Sequence, residues 1–362
     1  MTNRAVDFDG GVAMVVTDLH GAGDVYRHLR DQFMAQFAAG KIDRLVICGD
    51  LIHPENTQDR DFSLWMLLDL MTLRAELGPE AVVMLLGNHE MPHIYGMLLS
   101  KGDMVFTPTF EAALVQLDER SESSYRRSDV IDFLMGLPFY ARTRAGVMLA
   151  HAGACRVVVT AEQAELAALK YRSYRSEHEQ TRPDGPYTIE NLLNFDHAAL
   201  LADVDARLAQ SDIEAMRTGY ERMMGRSYAE CAFSFLSVTE PDDPRYNDLL
   251  RITLLDQQPD FQLLWDALFT QNEREIGLPA YEYIVRQFLG AMSEAAPHEQ
   301  RVIVAGHIKV DDGYEEVGKQ QLRLATYTHA RPRDDGRYLL LDCAKRVDSA
   351  SDLIGSLHYT LD

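Results

Sequence analysis

The chain has 362 residues, of which 46% are hydrophobic and 25% are charged, as in ordinary globular enzymes. Its net charge of −21 argues against nucleic-acid and anionic-membrane partners, since both require a cationic surface. No apolar run approaches the roughly 18 residues of a membrane-spanning helix, and the N-terminus lacks the pattern of a secretory signal. Because the four cysteines are far apart, we expect buried thiols and a cytoplasmic protein.

The first half of the chain alternates between unbroken apolar runs and segments with helical spacing. The predicted strands are residues 12–17, 44–48, 81–86 and 146–150, and the predicted helices are residues 24–37 and 62–76. Fully apolar strands that alternate with helices predict a sheet covered on both faces. The carboxyl ends of such strands meet at one rim, where open α/β sheets place their sites.

The second half begins with a long stretch, residues 156–300, in which the pattern is mostly helical. Predicted core strands then return at residues 301–305, 321–326 and 338–342. We therefore predict one domain over residues 1–362, with residues 156–300 as a largely helical insertion or cap within it.

Five short polar clusters follow the apolar runs and contain residues that are typical of a metal centre. They are Asp18-Leu19-His20-Gly21, Gly49-Asp50-Leu51-Ile52-His53, Gly87-Asn88-His89-Glu90, His151-Ala152-Gly153 and Gly306-His307. Asp, Asn and His supply the oxygen and imidazole ligands that suit Mn, Fe or Zn. One such cluster alone is usually turn chemistry or a core histidine, but five in this context predict a two-metal hydrolytic centre.

The spacing within the clusters suggests how two ions would be shared. Asp18 and His20 lie two residues apart and can turn to one ion. Asp50 follows a glycine, and its two carboxylate oxygens could serve one ion each. The residues that would complete the second ion are Asn88, His151 and His307. His89 lies next to a ligand and is placed to protonate a leaving group.

These clusters resemble the motifs of calcineurin-like metallophosphoesterases, most closely those of the phosphoprotein phosphatase branch, which includes serine/threonine phosphatases. The family patterns Gly-Asp-x-His-Gly, Gly-Asp-x-x-Asp-Arg-Gly, Gly-Asn-His-Glu, His-Gly and a late His correspond here to TDLHG, GDLIHPE, GNHE, HAG and GH. The similarity extends over residues 12–155 and 260–343. It implies a four-layer α/β/β/α sandwich with a helical insertion.

The resemblance also implies roles for individual residues. The first ion would be held by Asp18, His20 and Asp50. The second ion would be held by Asp50, Asn88, His151 and His307. His89 would be the general acid, Asn88 and Arg274 would contact the substrate phosphate, and manganese is favoured over iron or zinc.

The chain departs from the family pattern at three positions. The family aspartate that orients the general acid aligns with His53, which we expect within hydrogen-bond reach of His89. The family arginine that clamps phosphate aligns with Pro54, so either residues 55–60 replace these groups or the substrate is not held as in the protein phosphatases. Lys309 stands where many broader metallophosphoesterases have a liganding histidine. Seven further histidines are interpreted as surface or structural residues: His28, His93, His178, His197, His298, His329 and His358.

The predicted reaction is hydrolysis of phosphomonoesters by attack of metal-bound hydroxide, as in serine/threonine protein phosphatases. The substrate would be a phosphoprotein or a small phosphate ester. One alternative is a nucleotide or dinucleoside polyphosphate hydrolase of the same superfamily. Another, of a different class, is a catalytically weak phosphate-binding regulatory protein. The sequence leaves the oligomeric state open.

Overall fold

The computed structural model describes residues 3–56, 58–159, 187–270 and 272–362. The strands are β1 Ala5–Phe8, β2 Val12–Val16, β3 Arg44–Ile47, β4 Val82–Met84, β5 Ser100–Lys101, β6 Met104–Val105, β7 Tyr140–Thr143, β8 Val147–Ala150, β9 Val158–Val159, β10 Tyr187–Thr188, β11 Val302–Ala305, β12 Val310–Asp311, β13 Tyr314–Val317, β14 Gln321–Leu324, β15 Ala330–Arg331, β16 Arg337–Asp342 and β17 Leu357–Tyr359.

The helices have the following bounds. They are α1 Gly23–Ala38, α2 Ser63–Leu77, α3 Met91–Tyr95, α4 Thr107–Glu119, α5 Arg127–Met135, α6 Ile189–Leu193, α7 His197–Ala209, α8 Ile213–Met224, α9 Tyr228–Leu236, α10 Asp248–Leu255, α11 Pro259–Leu268, α12 Glu273–Ile276 and α13 Leu278–Glu294. Short 3₁₀ helices lie at Arg333–Asp335 and Ala350–Ser356.

Two mixed sheets form the centre of the fold. One has the strand order β1-β7-β8-β11-β14-β13, and the other has the order β17-β16-β2-β3-β4. Strands β2, β3 and β4 are parallel to one another, and β8 is parallel to β11 and β11 to β14. The strands that carry the predicted clusters therefore run side by side in two groups.

Strand β2 shows how the layers are built. Ala13 and Val15 pack in a core with Leu149 and Val304, which come from the six-stranded sheet. Met14, one residue along, faces the other way into a core shared with the helices. Because side chains alternate along a strand, each face of β2 is covered, and the predicted α/β/β/α sandwich is confirmed.

The described part of the long stretch between the sandwich strands is mostly helical, as predicted. The described residues between 189 and 294 contain helices α6 to α13, and α13 packs through Phe288 against Tyr140 of the six-stranded sheet. Residues 160–186 lie outside the described residues. The cap function of this region and the single-domain division stay predictions.

The observed elements match the predicted ones closely, with a few additions. The helix predicted at residues 24–37 is Gly23–Ala38. Strands β1, β7, β13 and β17 of the two central sheets were not predicted, and neither were the short strands β5, β6, β9, β10, β12 and β15. In the ranges that the structure describes, we find no helix with the length and apolarity required to cross a bilayer.

Candidate metal centre

Neighbouring strand ends bring the predicted ligands together at one rim. Strands β2, β3 and β4 lead into Asp18, Asp50 and Asn88, while β8 and β11 lead into His151 and His307. In the described chain, three groups have potential ligand atoms within 4.8 Å of one another. These groups are Asp18, His20 and His329; His20, Asp50 and His89; and Asp50, His151 and His307. The shared members link all three groups into one cluster.

The backbone of this cluster is strained. Among the described residues, seven non-glycine residues have a positive φ, and five of them lie here. These five are Asp18 (48°), His20 (46°), Asp50 (50°), His53 (68°) and His307 (68°). Such angles are sparsely populated by L-residues and cluster at functional sites, where surrounding packing enforces them.

Two glycines allow the strand ends to approach one another. At Gly49, with φ of 80°, an added Cβ atom would lie 2.7 Å from Cα of Gly87 and 2.8 Å from Nδ1 of His151. At Gly306 an added Cβ atom would overlap the carboxylate of Asp18. Glycine at these positions is therefore what lets the carboxylates and imidazoles converge.

Backbone carbonyls fix which nitrogen of two imidazoles carries the proton. Nδ1 of His20 donates to the carbonyl of His53 at 3.0 Å, and Nδ1 of His151 donates to the carbonyl of Cys48 at 3.0 Å. In each neutral ring the lone pair is then on Nε2. Oδ2 of Asp50 lies between them, 3.7 Å from Nε2 of His20 and 3.5 Å from Nε2 of His151.

Further potential ligand atoms lie close to the same nitrogen of His151. Nε2 of His151 lies 2.7 Å from Oδ1 of Asn88 and 3.2 Å from Nδ1 of His307. The backbone N–H of His307 donates to both oxygens of Asp18 at 2.9 and 3.0 Å, which fixes that carboxylate. The potential ligands in this half of the cluster are therefore two imidazoles and one amide oxygen, next to the carboxylate of Asp50.

The electrostatics of the cluster suit a cation. Burial and the charge of His329 lower the pKa of His20 to about 3, and burial lowers the pKa of His151 and of His307. These imidazoles are neutral at pH 7, the form that binds metals. Burial and the nearby Glu90 and Asp18 carboxylates raise the pKa of Asp50 well above its usual value. A bound cation would offset that repulsion.

Unsatisfied nitrogens support the same conclusion. Counting only partners that the structure describes, neither Nε2 of His20 nor Nδ1 of His329 makes a hydrogen bond, although both are buried. Buried polar groups normally have a partner. Carboxylate, amide and imidazole ligands suit Mn, Fe or Zn, so the residues fit the metal centre that the sequence predicted.

The sequence analysis interpreted His329 as a surface or structural residue, and the structure places it inside the cluster, beside Asp18 and His20. It is 4% exposed and lies between Asp18 and Glu55, with Nδ1 3.2 Å from Oδ1 of Asp18. Thr328 and His329 lie in the loop between β14 and β15 and belong to none of the predicted clusters. No spacing signal in the sequence links them to Asp18.

His53 lies beside His89, as expected. Nδ1 of His53 and Nδ1 of His89 are 3.2 Å apart. Behind His53 the contacts continue, with Nε2 to Nε2 of His93 at 2.8 Å and Nδ1 of His93 to Oε1 of Glu111 at 2.5 Å. Arg127 closes the series by donating Nη2–H to Oε2 of Glu111 at 3.2 Å.

Proton positions along this series follow from its carboxylate end. Glu111 can only accept, because burial is outweighed by His93 and Arg127, which lower its pKa. Nδ1 of His93 therefore donates, and its Nε2 accepts from Nε2 of His53. Nδ1 of His53 then accepts from Nδ1 of His89, which leaves Nε2 of His89 for chemistry. The histidines and Glu111 are buried, and the sequence analysis had interpreted His93 as structural.

The carboxylate of Glu90 joins the loop that carries Asp50 to the loop that carries Asn88. Its carboxylate accepts from the backbone N–H groups of Gly87, Asp50, Leu51 and Ile52 at 2.9–3.3 Å. Burial raises its pKa to about 7, although these donors oppose the shift. The glutamate of the GNHE motif thereby positions Asp50 relative to Asn88.

The loop predicted to replace the missing aspartate and arginine has other partners. Glu55 accepts from Nε2 of His329 at 3.0 Å and pairs with Lys309. Asp59 accepts both Nη groups of Arg333 at 3.2 and 2.7 Å. Neither acid contacts His89 among the described contacts, so the partner of His89 is His53.

Arg274 lies at the edge of the site. Its half-exposed guanidinium donates to Oε2 of Glu315 at 2.8 Å and to the carbonyl of Lys309 at 3.2 Å. Lys309 is two residues after His307. The predicted contact of Arg274 with substrate phosphate stays a prediction.

A two-sheet sandwich with buried histidines and aspartates at one rim defines the class of metal-dependent hydrolases. The sequence matches the calcineurin-like phosphoesterase family over residues 12–198, about half of the chain, and the chain belongs to that family. The description of that family indicates hydrolysis of phosphoric esters. This supports the enzyme interpretation over that of a phosphate-binding regulatory protein.

Solved structures show more distant likenesses. A putative diadenosine tetraphosphatase is 23% identical, with 43% of this chain and 57% of that chain covered and a TM-score of 0.26. A protein serine/threonine phosphatase from Saccharomyces cerevisiae is 14% identical, with 98% and 82% covered and a TM-score of 0.46. A cold-active protein-tyrosine phosphatase of Shewanella is 13% identical, with 94% and 78% covered and a TM-score of 0.43. The match thus takes in less than two thirds of the length of the first of these proteins. None of the curated proteins compared with the chain matches it.

Proposed function

We propose that this protein hydrolyses phosphomonoesters with two transition-metal ions, manganese being favoured, in the manner of serine/threonine protein phosphatases. The first ion would be held by Asp18, His20 and Asp50, and the second by Asp50, Asn88, His151 and His307. The observation that carries this proposal is the position of Asp50. Its Oδ2 atom faces Nε2 of His20 at 3.7 Å and Nε2 of His151 at 3.5 Å, so this one oxygen, rather than one oxygen for each ion, would be shared by both ions.

Such ions supply an activated water nucleophile and offset the negative charge of the phosphoryl oxygens. The chain's own residues provide the rest of the chemistry. Oδ1 of Asp50 accepts the backbone N–H of His89 at 3.0 Å, so the bridging carboxylate also fixes the general acid. To protonate the leaving oxygen, His89 has to carry two protons, one on Nδ1 that is donated to His53 and one on Nε2 that passes to the leaving oxygen.

The series behind His89 takes over the role of the missing family aspartate. Glu111 supplies the negative charge, and His93 and His53 carry its orienting effect to His89 through hydrogen bonds of 2.5, 2.8 and 3.2 Å. An imidazole alone could fix the orientation but could not offset a charge on His89. Glu111 supplies that charge from beyond the rings of His93 and His53. No carboxylate therefore has to be desolvated directly beside the reacting nitrogen of His89.

Phosphate binding would involve Asn88 and Arg274. Asn88 lies in the cluster through its contact with His151. Arg274 would have to exchange Glu315, its present partner at 2.8 Å, for a phosphate oxygen. Because that pair is half exposed, the exchange costs little.

A second candidate is hydrolysis of nucleotides or dinucleoside polyphosphates. The pocket that includes His20 is also lined by Phe62 and Tyr327. Arg60 lies over the Phe62 ring at 4.6 Å, and Arg333 lies over the Tyr327 ring at 5.4 Å. Aromatic rings can stack on a nucleobase, and guanidinium groups can pair with the phosphates of a nucleotide. This pocket therefore favours the second candidate.

A substrate panel separates the two candidates. The full chain, loaded with Mn²⁺, would be assayed on p-nitrophenyl phosphate, a phosphoserine peptide, ATP, diadenosine tetraphosphate and a phosphodiester, with Asp50→Asn as the inactive control. The proposal expects the monoester and phosphopeptide to have the highest kcat/KM. Preference for diadenosine tetraphosphate by tenfold or more would transfer the assignment to the second candidate.

A further inference from the structure

We propose that His329 is a further protein ligand of the first metal ion and that Glu55 holds it in place. The inference rests on the proposed two-metal function and adds one imidazole to the set of Asp18, His20 and Asp50. It also gives the loop after Pro54 a role that the family pattern does not provide.

Geometry places His329 on the open side of Asp18. Its Nδ1 atom is 3.2 Å from Oδ1 of Asp18, without the alignment of a hydrogen bond, and its ring centroid is 4.8 Å from that of His20. The side chains of all three residues are at most 5% exposed. Nδ1 of His329, Nε2 of His20 and the Asp18 carboxylate thus face one small volume, since their ligand atoms lie within 4.8 Å of one another.

The proton on His329 is on the nitrogen that faces away from this volume. Nε2 lies 3.0 Å from Oε1 of Glu55, and a carboxylate only accepts, so Nε2 carries the proton. In the neutral ring the lone pair is then on Nδ1, toward Asp18. A ligating histidine whose second nitrogen donates to a carboxylate is the usual arrangement around protein-bound metals.

Glu55 is itself fixed. Its other oxygen pairs with Lys309, and the carboxylate is 8% exposed. Lys309 occupies the position at which many broader metallophosphoesterases carry a liganding histidine. In this chain an imidazole reaches the first ion from the loop between β14 and β15 instead, and the lysine orients its supporting acid.

A rival interpretation is available for the same contacts. His329 could be a protonated imidazole that only pairs with Asp18 and Glu55 and binds no metal. Glutamine distinguishes the two, because its amide N–H group can donate to either carboxylate but its side chain lacks the imidazole lone pair. His329→Gln keeps a hydrogen-bond donor for the rival interpretation and replaces the imidazole nitrogen of the proposed one by an amide oxygen at most, a change that the cobalt spectrum would report.

The test measures metal binding directly. Full-length wild type, His329→Gln, Glu55→Gln and the control His197→Gln, which alters a buried histidine bonded to Tyr95, would be stripped of metal and titrated with Mn²⁺ by calorimetry. Elemental analysis after dialysis would count the ions that remain. Cobalt absorption spectra would report the coordination of the first site.

The inference expects His329→Gln to bind one ion at least about 10–100-fold more weakly and the other ion unchanged, since even partners of ligands contribute that much. Glu55→Gln should weaken the same ion with His329 still present, and His197→Gln should bind like wild type. Two ions bound by His329→Gln with wild-type affinities and an unchanged cobalt spectrum would overturn the role of His329 alone. Wild type that binds fewer than two ions would overturn the proposed function together with this inference.

Discussion

The two sides of the catalytic rim use the same residue type for different purposes. On the metal side, which comprises Asp18, His20, Asp50, Asn88, His151 and His307, imidazole nitrogens and oxygens converge without protons between them. On the acid side, which comprises His89, His53, His93 and Glu111, each imidazole is hydrogen-bonded to the next. The sides meet where the N–H of His89 donates to Asp50.

The difference shows that the partner of the second nitrogen decides what a buried histidine does. His20 and His151 each donate Nδ1–H to a backbone carbonyl, which leaves a free lone pair for a cation. His93 donates to a carboxylate that is itself held by Arg127, and its other nitrogen accepts a hydrogen bond from His53. One arrangement is built to hold cations, and the other is built to hold a proton in one orientation.

The largest expected effect is on the metal side. Asp50→Ala should remove both ions and abolish turnover, a loss greater than the roughly 10–100-fold that follows from changing a partner of a ligand. His20→Ala should weaken chiefly one ion. Elemental analysis checks both, with Asp248→Ala, a buried aspartate on α10 paired with Arg251, as the matched control. Two ions retained by the Asp50 variant would refute the bridging role.

The next effect concerns the acid itself. His89→Asn should leave the metal content near that of wild type and slow alkyl phosphates by roughly 10²–10⁴-fold. Aryl phosphates should be slowed less, because a phenolate leaves without full protonation. Rates on phosphoserine and p-nitrophenyl phosphate give the comparison. Equal losses on both substrates would assign His89 to the metal side instead.

A smaller effect is expected at the far end of the acid side. Glu111→Gln keeps an acceptor for His93 but removes the charge, so alkyl phosphates should slow by about 10–100-fold and aryl phosphates by less. Metal content should not change. The control is Glu119→Gln, an exposed glutamate on the same helix. If Glu111→Gln behaves like that control, the carboxylate does not act on His89.

The smallest effect sharpens the comparison through stability. Each ion adds about 2.7 kcal/mol to the free energy of unfolding when the free metal concentration is 100 times the Kd of its site. Added Mn²⁺ should therefore raise the Tm of wild type and of Glu111→Gln by the same few degrees, and that of Asp50→Ala by much less. Thermal melts with metal and with chelator measure this. A reduced shift in Glu111→Gln would mean that the two sides are not separate.

The sequence predicted the metal side because neighbouring parallel strands bring their ends together whatever the loops do. Residues that directly follow β2, β3, β4, β8 and β11 must lie at one rim. The acid side depends on how the short helix α3 packs against α4, which brings His93 to Glu111. No local pattern encodes that angle, so both residues resemble ordinary core or surface positions in the sequence.

The missed strands have a local explanation. Strand β7 contains Arg142, which is buried only because Asp7 of β1 accepts two of its hydrogen bonds at 2.8 and 2.7 Å. A pair of charged residues interrupts the apolar pattern of both strands. His329 was missed for a related reason, because its partners Asp18 and Glu55 are distant in the chain.

The left-handed backbone of the rim has a consequence for protein engineering. Holding a non-glycine residue at such angles costs about 1–3 kcal/mol, and glycine adopts them without that cost. His53→Gly would relieve that cost but would also empty a buried site beside Phe106 and leave His89 and His93 without their partner, so we expect a net loss of stability. Asparagine at Asp18 or Asp50 tolerates the angle and removes only the charge, so an asparagine variant is the inert form to use for trapping a substrate.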